Sequence, residues 1–131
     1  MTTYEKDFNF GILQEESIIT KIETFFNDKL TKTEQFCKYD FQGQDTIYEV
    51  KSRNIDSQRF YTTILPKDKI IKDKKQIFIF NFTDGIYYIE YKEETFKNIK
   101  VMDYQRTTRT GYNDIRKPYY FIPIKLLSKL E

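Results

Sequence analysis

From Asp40 to Arg53 the chain reads DFQGQDTIYEVKSR. Gln42-Gly43-Gln44-Asp45 supplies turn residues between two extended runs. In the second run, Thr46 to about Arg53, side-chain alternation puts Ile47, Glu49, Lys51 and Arg53 on one face. Pairing residue 41 with 46, or 42 with 45, predicts a hairpin in which Asp40 lies opposite Ile47 on that face. Asp40 and Glu49 are then diagonal neighbours, about 7–8 Å apart at the backbone. A slip of one residue would part them. Carboxylates so placed suit Mg²⁺, which binds through one or two of them and keeps several waters. Such an ion acidifies a bound water and neutralises charge developing on a phosphate. Lys51 could orient that water or hold the developing charge. A solvated strand face with Glu–Lys pairing accounts for the same letters.

A helix must stand in front of this hairpin. From Asn9, a fair N-cap, to Phe26 the pattern is helical. At about 100° per residue, Ile12, Ile19, Ile22 and Phe26 share one side, with Ile18 and Phe25 at its flanks. Glu15 sits near the middle of that apolar side and Glu16 on its margin. A lone charge is costly to bury, so a carboxylate there asks for a reason. The letters do not decide which of the two faces the hairpin.

Further elements follow. A strand is expected over about Thr33 to Phe41. Residues 59–64 read as extended, and Pro66 opens a helix through Lys74. Gln76 to Phe82 and Ile86 to Tyr91 form an antiparallel pair around Asp84-Gly85. Thr95 to Tyr104 is ambiguous and has room for one strand. Residues 105–117 read as a polar, basic loop, Tyr119 to Ile122 as a strand and Pro123 to Leu130 as a closing helix. The fold class is α/β: a mixed central sheet of about four to six strands flanked by the first helix and short later ones. The chain reads as a single domain, residues 1–131, with a core over about 9–91 and a C-terminal extension over about 92–131.

Composition removes several chemistries. The 131 residues include no histidine and one cysteine, Cys37. Histidine bases, Ser-His-Asp and Cys-His catalysis, internal disulfides and thiolate zinc clusters are excluded. Carboxylates, lysine, tyrosine and a hard metal remain. The net charge of +2 does not announce nucleic acid, so such a case rests on where the charges lie. There is no apolar run of membrane-span length and no signal-peptide core, and nothing asks for a nucleotide cofactor. An intracellular protein, cytoplasmic or nuclear, is expected. The richness in Ile, Lys, Asn, Tyr and Phe hints at an AT-rich genome, such as that of a virus or phage.

Asp40, eight intervening residues and then Glu49-Val50-Lys51, preceded by the helix Gly11-Ile12-Leu13-Gln14-Glu15, resemble the PD-(D/E)xK nuclease superfamily. That superfamily includes restriction endonucleases and Holliday-junction resolvases. The resemblance covers roughly residues 9 to 91. It implies a restriction-endonuclease-like core and a Mg²⁺- or Mn²⁺-dependent DNA endonuclease. It implies that Asp40, Glu49 and the Val50 carbonyl hold the metal, that Glu15 completes the shell, and that Lys51 is the catalytic lysine. Many members dimerise to cut two strands, so a homodimer is implied as well. Tyr39 stands where the motif has proline, and the strand before Asp40 and the second core helix are unclear. Gly85-Ile86-Tyr87-Tyr88-Ile89 evokes the GIY-YIG nucleases, but the triplets are contiguous and read as a hairpin strand.

DNA is the expected partner. Arg53, Arg59 and Lys69 follow the lysine strand, while Arg106, Arg109 and Arg116 lie in the late loop near Tyr104 and Tyr112. Lys and Arg clamp phosphates, and aromatic rings stack on unpaired bases. The alternative is a non-catalytic nucleic-acid-binding or assembly protein that keeps the fold.

Overall fold

The computed structural model describes residues 16–34, 39–106 and 115–131. In chain order the strands are β1 (Thr31–Lys32), β2 (Phe41–Gln42), β3 (Thr46–Ser52), β4 (Thr62–Pro66), β5 (Lys75–Phe82), β6 (Gly85–Glu90), β7 (Lys100–Tyr104), β8 (Lys117–Pro123) and β9 (Ser128–Lys129). They form a six-stranded sheet, β1-β2-β3-β5-β6-β9, and a three-stranded sheet, β4-β8-β7. Among the described strands only β3 and β5 run parallel. The protein is therefore α/β with a mixed main sheet.

Strand β5 explains the layering. Its Gln76 to Phe80 are all buried, the mark of a central strand covered on both faces. Ile77 and Ile79 point to one side with Tyr48 and Ile86, where Ile18 and Ile22 of helix α1 (residues 16–26) cover them. Phe78, Phe80 and Phe82 point to the other, against Leu65, Tyr120 and Ile122 of the small sheet. The main sheet is thus filled between a helix and a second sheet. Each fully buried side chain of this size contributes about 1.5–3 kcal/mol of transfer free energy.

Helix α1 ends where the periodicity does, after Phe26. Asn27 adopts a left-handed φ of 50°, and the Asp28 N–H bonds the Glu23 carbonyl at 3.2 Å. This is the usual way to close a helix C-terminus. The expected start of the helix, Asn9 through Glu15, lies outside the described residues.

Several expected elements change. Of the strand expected over Thr33 to Phe41, Phe41 alone is a strand residue among those described; β2 ends at Gln42, and residues 35–38 lie outside the described residues. The extended run at 59–64 starts at Thr62 and continues to Pro66. Pro66 opens no helix through Lys74. Lys67–Lys69 make one 3-10 turn and Ile70 is extended, because the Gln76 side chain captures the backbone of Lys69 and Ile71. The ambiguous 95–104 region resolves into part of a short helix, α2 (Glu93–Phe96), followed by β7. The closing helix is a 3-10 turn at Ile124–Leu126 and then β9, since Leu130 and Glu131 give their N–H groups to the Ile86 carbonyl. The segment after residue 92 is built into both sheets, β8 on β4 and β9 on β6. Among the described residues no helix is long and apolar enough to cross a membrane.

Candidate active site

The hairpin register differs from the expected one by two residues. Phe41 pairs with Tyr48 and Gln42 with Ile47, and the Asp40 N–H bonds the Tyr48 carbonyl at 3.0 Å. The reason is the loop. Gly43 donates to the Thr46 carbonyl, Asp28 accepts the Gln44 N–H, and Phe41 is buried beside Tyr48 on the helix side. A shift of two keeps every side chain on its face. Asp40 lies just before that ladder, and its charge still acts on the Glu49 carboxyl of β3. The Asp40 carboxylate accepts the Val50 N–H at 2.7 Å, which fixes it beside β3.

Glu49 is the centre of the cluster and is only 3% exposed. Its Oε1 receives Lys51 Nζ at 3.1 Å and Lys69 Nζ at 3.5 Å. Its Oε2 is buried and has no hydrogen-bond partner among the described residues. Burial pushes the Glu49 carboxyl above the usual carboxylate range, and the charge of Asp40 pushes it further. Lys51 and Lys69 oppose that rise without cancelling it. A buried carboxylate oxygen without a donor is costly, and a water, a cation or a proton would each relieve it.

Asp40 and Glu49 are the carboxylates that could hold a small divalent ion. Mg²⁺ accepts one or two carboxylates, and among the described residues no group bonds Oε2. Among the described residues no group of three or more acidic, cysteine or histidine side chains gathers to hold a metal. Glu15 lies outside the described residues. Glu16 is exposed on α1, whose described part packs on the face of the main sheet opposite Glu49 and Lys51.

The basic residues separate into three settings. Lys69 joins the carboxylate cluster itself. Arg53, the next residue on the Glu49–Lys51 face, gives its guanidinium to the Ile64 carbonyl at 2.8 Å and lies 6.0 Å from the Phe80 ring. Burial, and then the charge of Arg106, lowers its pKa from the usual value. It fastens the end of β3 to β4. Arg59 is exposed, with its guanidinium 5.7 Å from the Phe60 ring, and Tyr61 beside it is 96% exposed. Arg106 and Arg116 are exposed, and Arg109 lies outside the described residues.

Two features were not foreseen. Lys69 lies twenty positions after Glu49, and nothing in its neighbourhood announces the contact. Gln76 is 1% exposed and spends its amide on the turn that carries Lys69. A glutamine opening a strand is a faint signal of that kind, because a buried amide must find partners.

No family model matches the chain, and no curated protein or solved structure matches it.

Proposed function

We propose that this protein is a divalent-metal-dependent DNA endonuclease of the PD-(D/E)xK kind, with Asp40, Glu49, Lys51 and Lys69 as its site. The observation that carries the reading is Glu49: a buried carboxylate with one oxygen on two ammonium groups, the other without a partner among the described residues, and Asp40 across the hairpin. A buried ion pair repays its desolvation best when its remaining lone pairs are also bonded, which is not so for Oε2 among the described residues.

Asp40 and Glu49 would hold Mg²⁺ or Mn²⁺, with the Val50 carbonyl and Glu15 as the further ligands the resemblance implies. Bound there, the ion supplies a more acidic water and a Lewis acid for a phosphate oxygen. Lys51, held by Glu49, has its ammonium fixed beside the carboxylates. It stabilises negative charge growing on the phosphorus oxygens or steers the attacking water. Asp40 is held by the Val50 N–H, so its orientation does not depend on a flexible neighbour. The restriction-endonuclease-like core is part of this proposal. It draws on the order of α1, β2 and β3, the parallel β5 and the antiparallel β6. Arg59, Arg106, Arg109 and Arg116 would contact the backbone of the DNA, and a homodimer would let two strands be cut.

The test is cleavage of branched, nicked and linear DNA in Mg²⁺ or Mn²⁺. Wild type should cut at least one substrate, and Lys51→Ala should cut none. The rival, a non-catalytic nucleic-acid-binding or assembly protein, draws on the apolar side chains Val101, Met102, Tyr104 and Leu126 exposed around the small sheet. Binding without cleavage in either metal would favour it.

A further inference from the structure

We propose that Tyr61, with Phe60 beside it, is a stacking platform for an unpaired nucleobase, so that the DNA this protein takes has a single-stranded part. The inference rests on the nuclease reading for its partner and names the substrate class within it.

Tyr61 is 96% exposed and Phe60 58% exposed, so two large rings stand next to each other in solvent. The backbone under them is fastened at both ends. The Thr83 N–H bonds the Ile55 carbonyl at 3.0 Å. Asp84, in the β5–β6 turn, takes the Ser57 N–H at 2.8 Å and the Ser57 hydroxyl at 2.6 Å, and Ser57 is buried. Asp56 tightens the turn that follows. Its Oδ1 accepts the Gln58 N–H at 2.8 Å, and its carbonyl accepts the Arg59 N–H at 3.0 Å. At the far end the Tyr61 carbonyl accepts the Ile124 N–H at 2.8 Å, and β4 begins at Thr62. The rings are thus presented by a fixed segment. A ring held this way loses little further freedom when a ligand covers it.

Ring type and surrounding charge name the occupant. Isolated exposed apolar side chains are ordinary, but two adjacent aromatics on a fixed turn make a surface. That surface is set among cations. The Arg59 guanidinium lies 5.7 Å from the Phe60 ring, and Arg53, bonded to the Ile64 carbonyl of β4, feels the charge of Arg106. An apolar peptide seated on the rings would strip water from guanidinium groups and offer them nothing. A nucleotide brings a π-face to the ring and a phosphate to its neighbours. Bases inside a duplex already stack on one another, so the face on offer is that of an unpaired base. Strand β4 links the platform to the carboxylates. Tyr61 stands just before it, and Lys69, 3.5 Å from Glu49 Oε1, ends the turn just after it. The five residues of β4 span about 17 Å, a length that a few nucleotides of single strand cover.

The experiment measures binding of a single-stranded oligonucleotide, a duplex with a single-stranded tail and a blunt duplex in saturating Ca²⁺ across a salt series, and cleavage in Mg²⁺ separately. Wild type, Tyr61→Ala, Tyr61→Phe and Phe60→Ala are compared. Wild type should prefer the single-stranded and tailed DNA. Tyr61→Ala should weaken binding of both by about fivefold to a hundredfold, the scale of one lost base–aromatic stack. Its blunt-duplex affinity and its slope of log affinity against log salt should not change, because no charge is removed. Tyr61→Phe should restore the stack, and Phe60→Ala should show a smaller loss of the same kind. The melting temperature of Tyr61→Ala should match that of wild type, since so exposed a side chain contributes little to folding. Unchanged single-strand binding in Tyr61→Ala overturns the platform, whether or not wild type cleaves. A loss that falls equally on blunt duplex, or that comes with a lowered salt slope, overturns it too. So does a dimer that Tyr61→Ala dissociates, which would give the rings to a second copy. No binding to any of the three DNAs removes both readings. A Tyr61-dependent preference for single strands in a protein that never cleaves keeps the platform and removes the nuclease reading.

Discussion

The two faces of β3 solve the same problem differently. On the helix side, Tyr48 gives its hydroxyl to Asp28 Oδ2 at 2.8 Å, and Asp28 Oδ1 takes the Gln44 N–H at 2.9 Å. Both oxygens of that acid are satisfied. One residue further, on the opposite face, Glu49 has two lysines on one oxygen and, among the described residues, nothing on the other. Asp28 closes the hairpin loop; a methyl group on Gly43 would stand 1.9 Å from its Oδ2. A carboxylate that holds a fold is given all its donors. One left incomplete while buried lowers the stability of the fold, and such groups cluster where a ligand completes them.

The sharpest way to break this contrast is catalytic. Lys51→Ala, Asp40→Asn and Glu49→Gln should each cost at least about a hundredfold in cleavage rate, the scale of a lost transition-state donor. Tyr48→Phe, one residue away on the other face, should leave the rate of the folded enzyme near that of wild type. Equal losses on both faces, read by single-turnover cleavage, would erase the distinction.

Ion binding comes next. At an Mg²⁺ or Mn²⁺ concentration about a hundredfold above Kd, native-state binding should add about 2.7 kcal/mol to wild-type stability. Thermal melting with and without chelator reads this. The gain should vanish in Asp40→Asn and Glu49→Gln and persist in Tyr48→Phe. Tyr48→Phe should instead lower stability by about 1.5–3 kcal/mol in urea unfolding, the range for a hydrogen bond to a charged group. It should do so equally with and without the ion.

The smallest effect is in pH. The Glu49 carboxyl is raised by burial and by Asp40, so the folded state holds its proton more tightly than the unfolded chain. Its contribution is present below the ordinary glutamate pKa and is lost as pH rises through the raised one. Metal-free wild type should therefore weaken across that window, and Glu49→Gln should flatten the curve. Asp84 behaves oppositely. The Ser57 hydroxyl donates to its Oδ2 at 2.6 Å and the Ser57 N–H to its Oδ1 at 2.8 Å, and these bonds lower its pKa. That stabilisation is present above the ordinary aspartate pKa and fades as pH falls through the lowered one. Asp84→Asn should remove the acid-side loss and leave the Glu49 slope in place, as followed by denaturant melts at stepped pH.

Much of the site could be read from the letters because it rests on alternation. Glu49 and Lys51 share a face at any register, and Asp40 joins them at every even shift, so the two-residue error in pairing did no harm. The β5–β6 hairpin was legible for the same reason, through its strong apolar runs and the Asp84-Gly85 turn. Lys69 was read as a basic residue after the strand, but its place on Glu49 was not. That contact depends on a turn held by a side-chain amide several residues later, and no local pattern encodes it. The missed helices at 66–74 and 123–130 failed alike. In each, tertiary hydrogen bonds, to Gln76 and to the Ile86 carbonyl, took backbone groups that a helix would have used.

The sequence by itself determined which groups are available, since a chain without histidine leaves any acid–base or ion-binding chemistry to carboxylates, lysines and tyrosines, and it determined which of them share a strand face. The tertiary structure alone decided that Glu49 is buried with one oxygen unpartnered among the described residues, that the Asp40 carboxylate rests on the Val50 N–H with its charge acting on Glu49, and that a second lysine arrives from a distant turn. Strand periodicity is written residue by residue. Burial and convergence are properties of packed elements, and they exist only once β5, the small sheet and the turn before it have closed around β3.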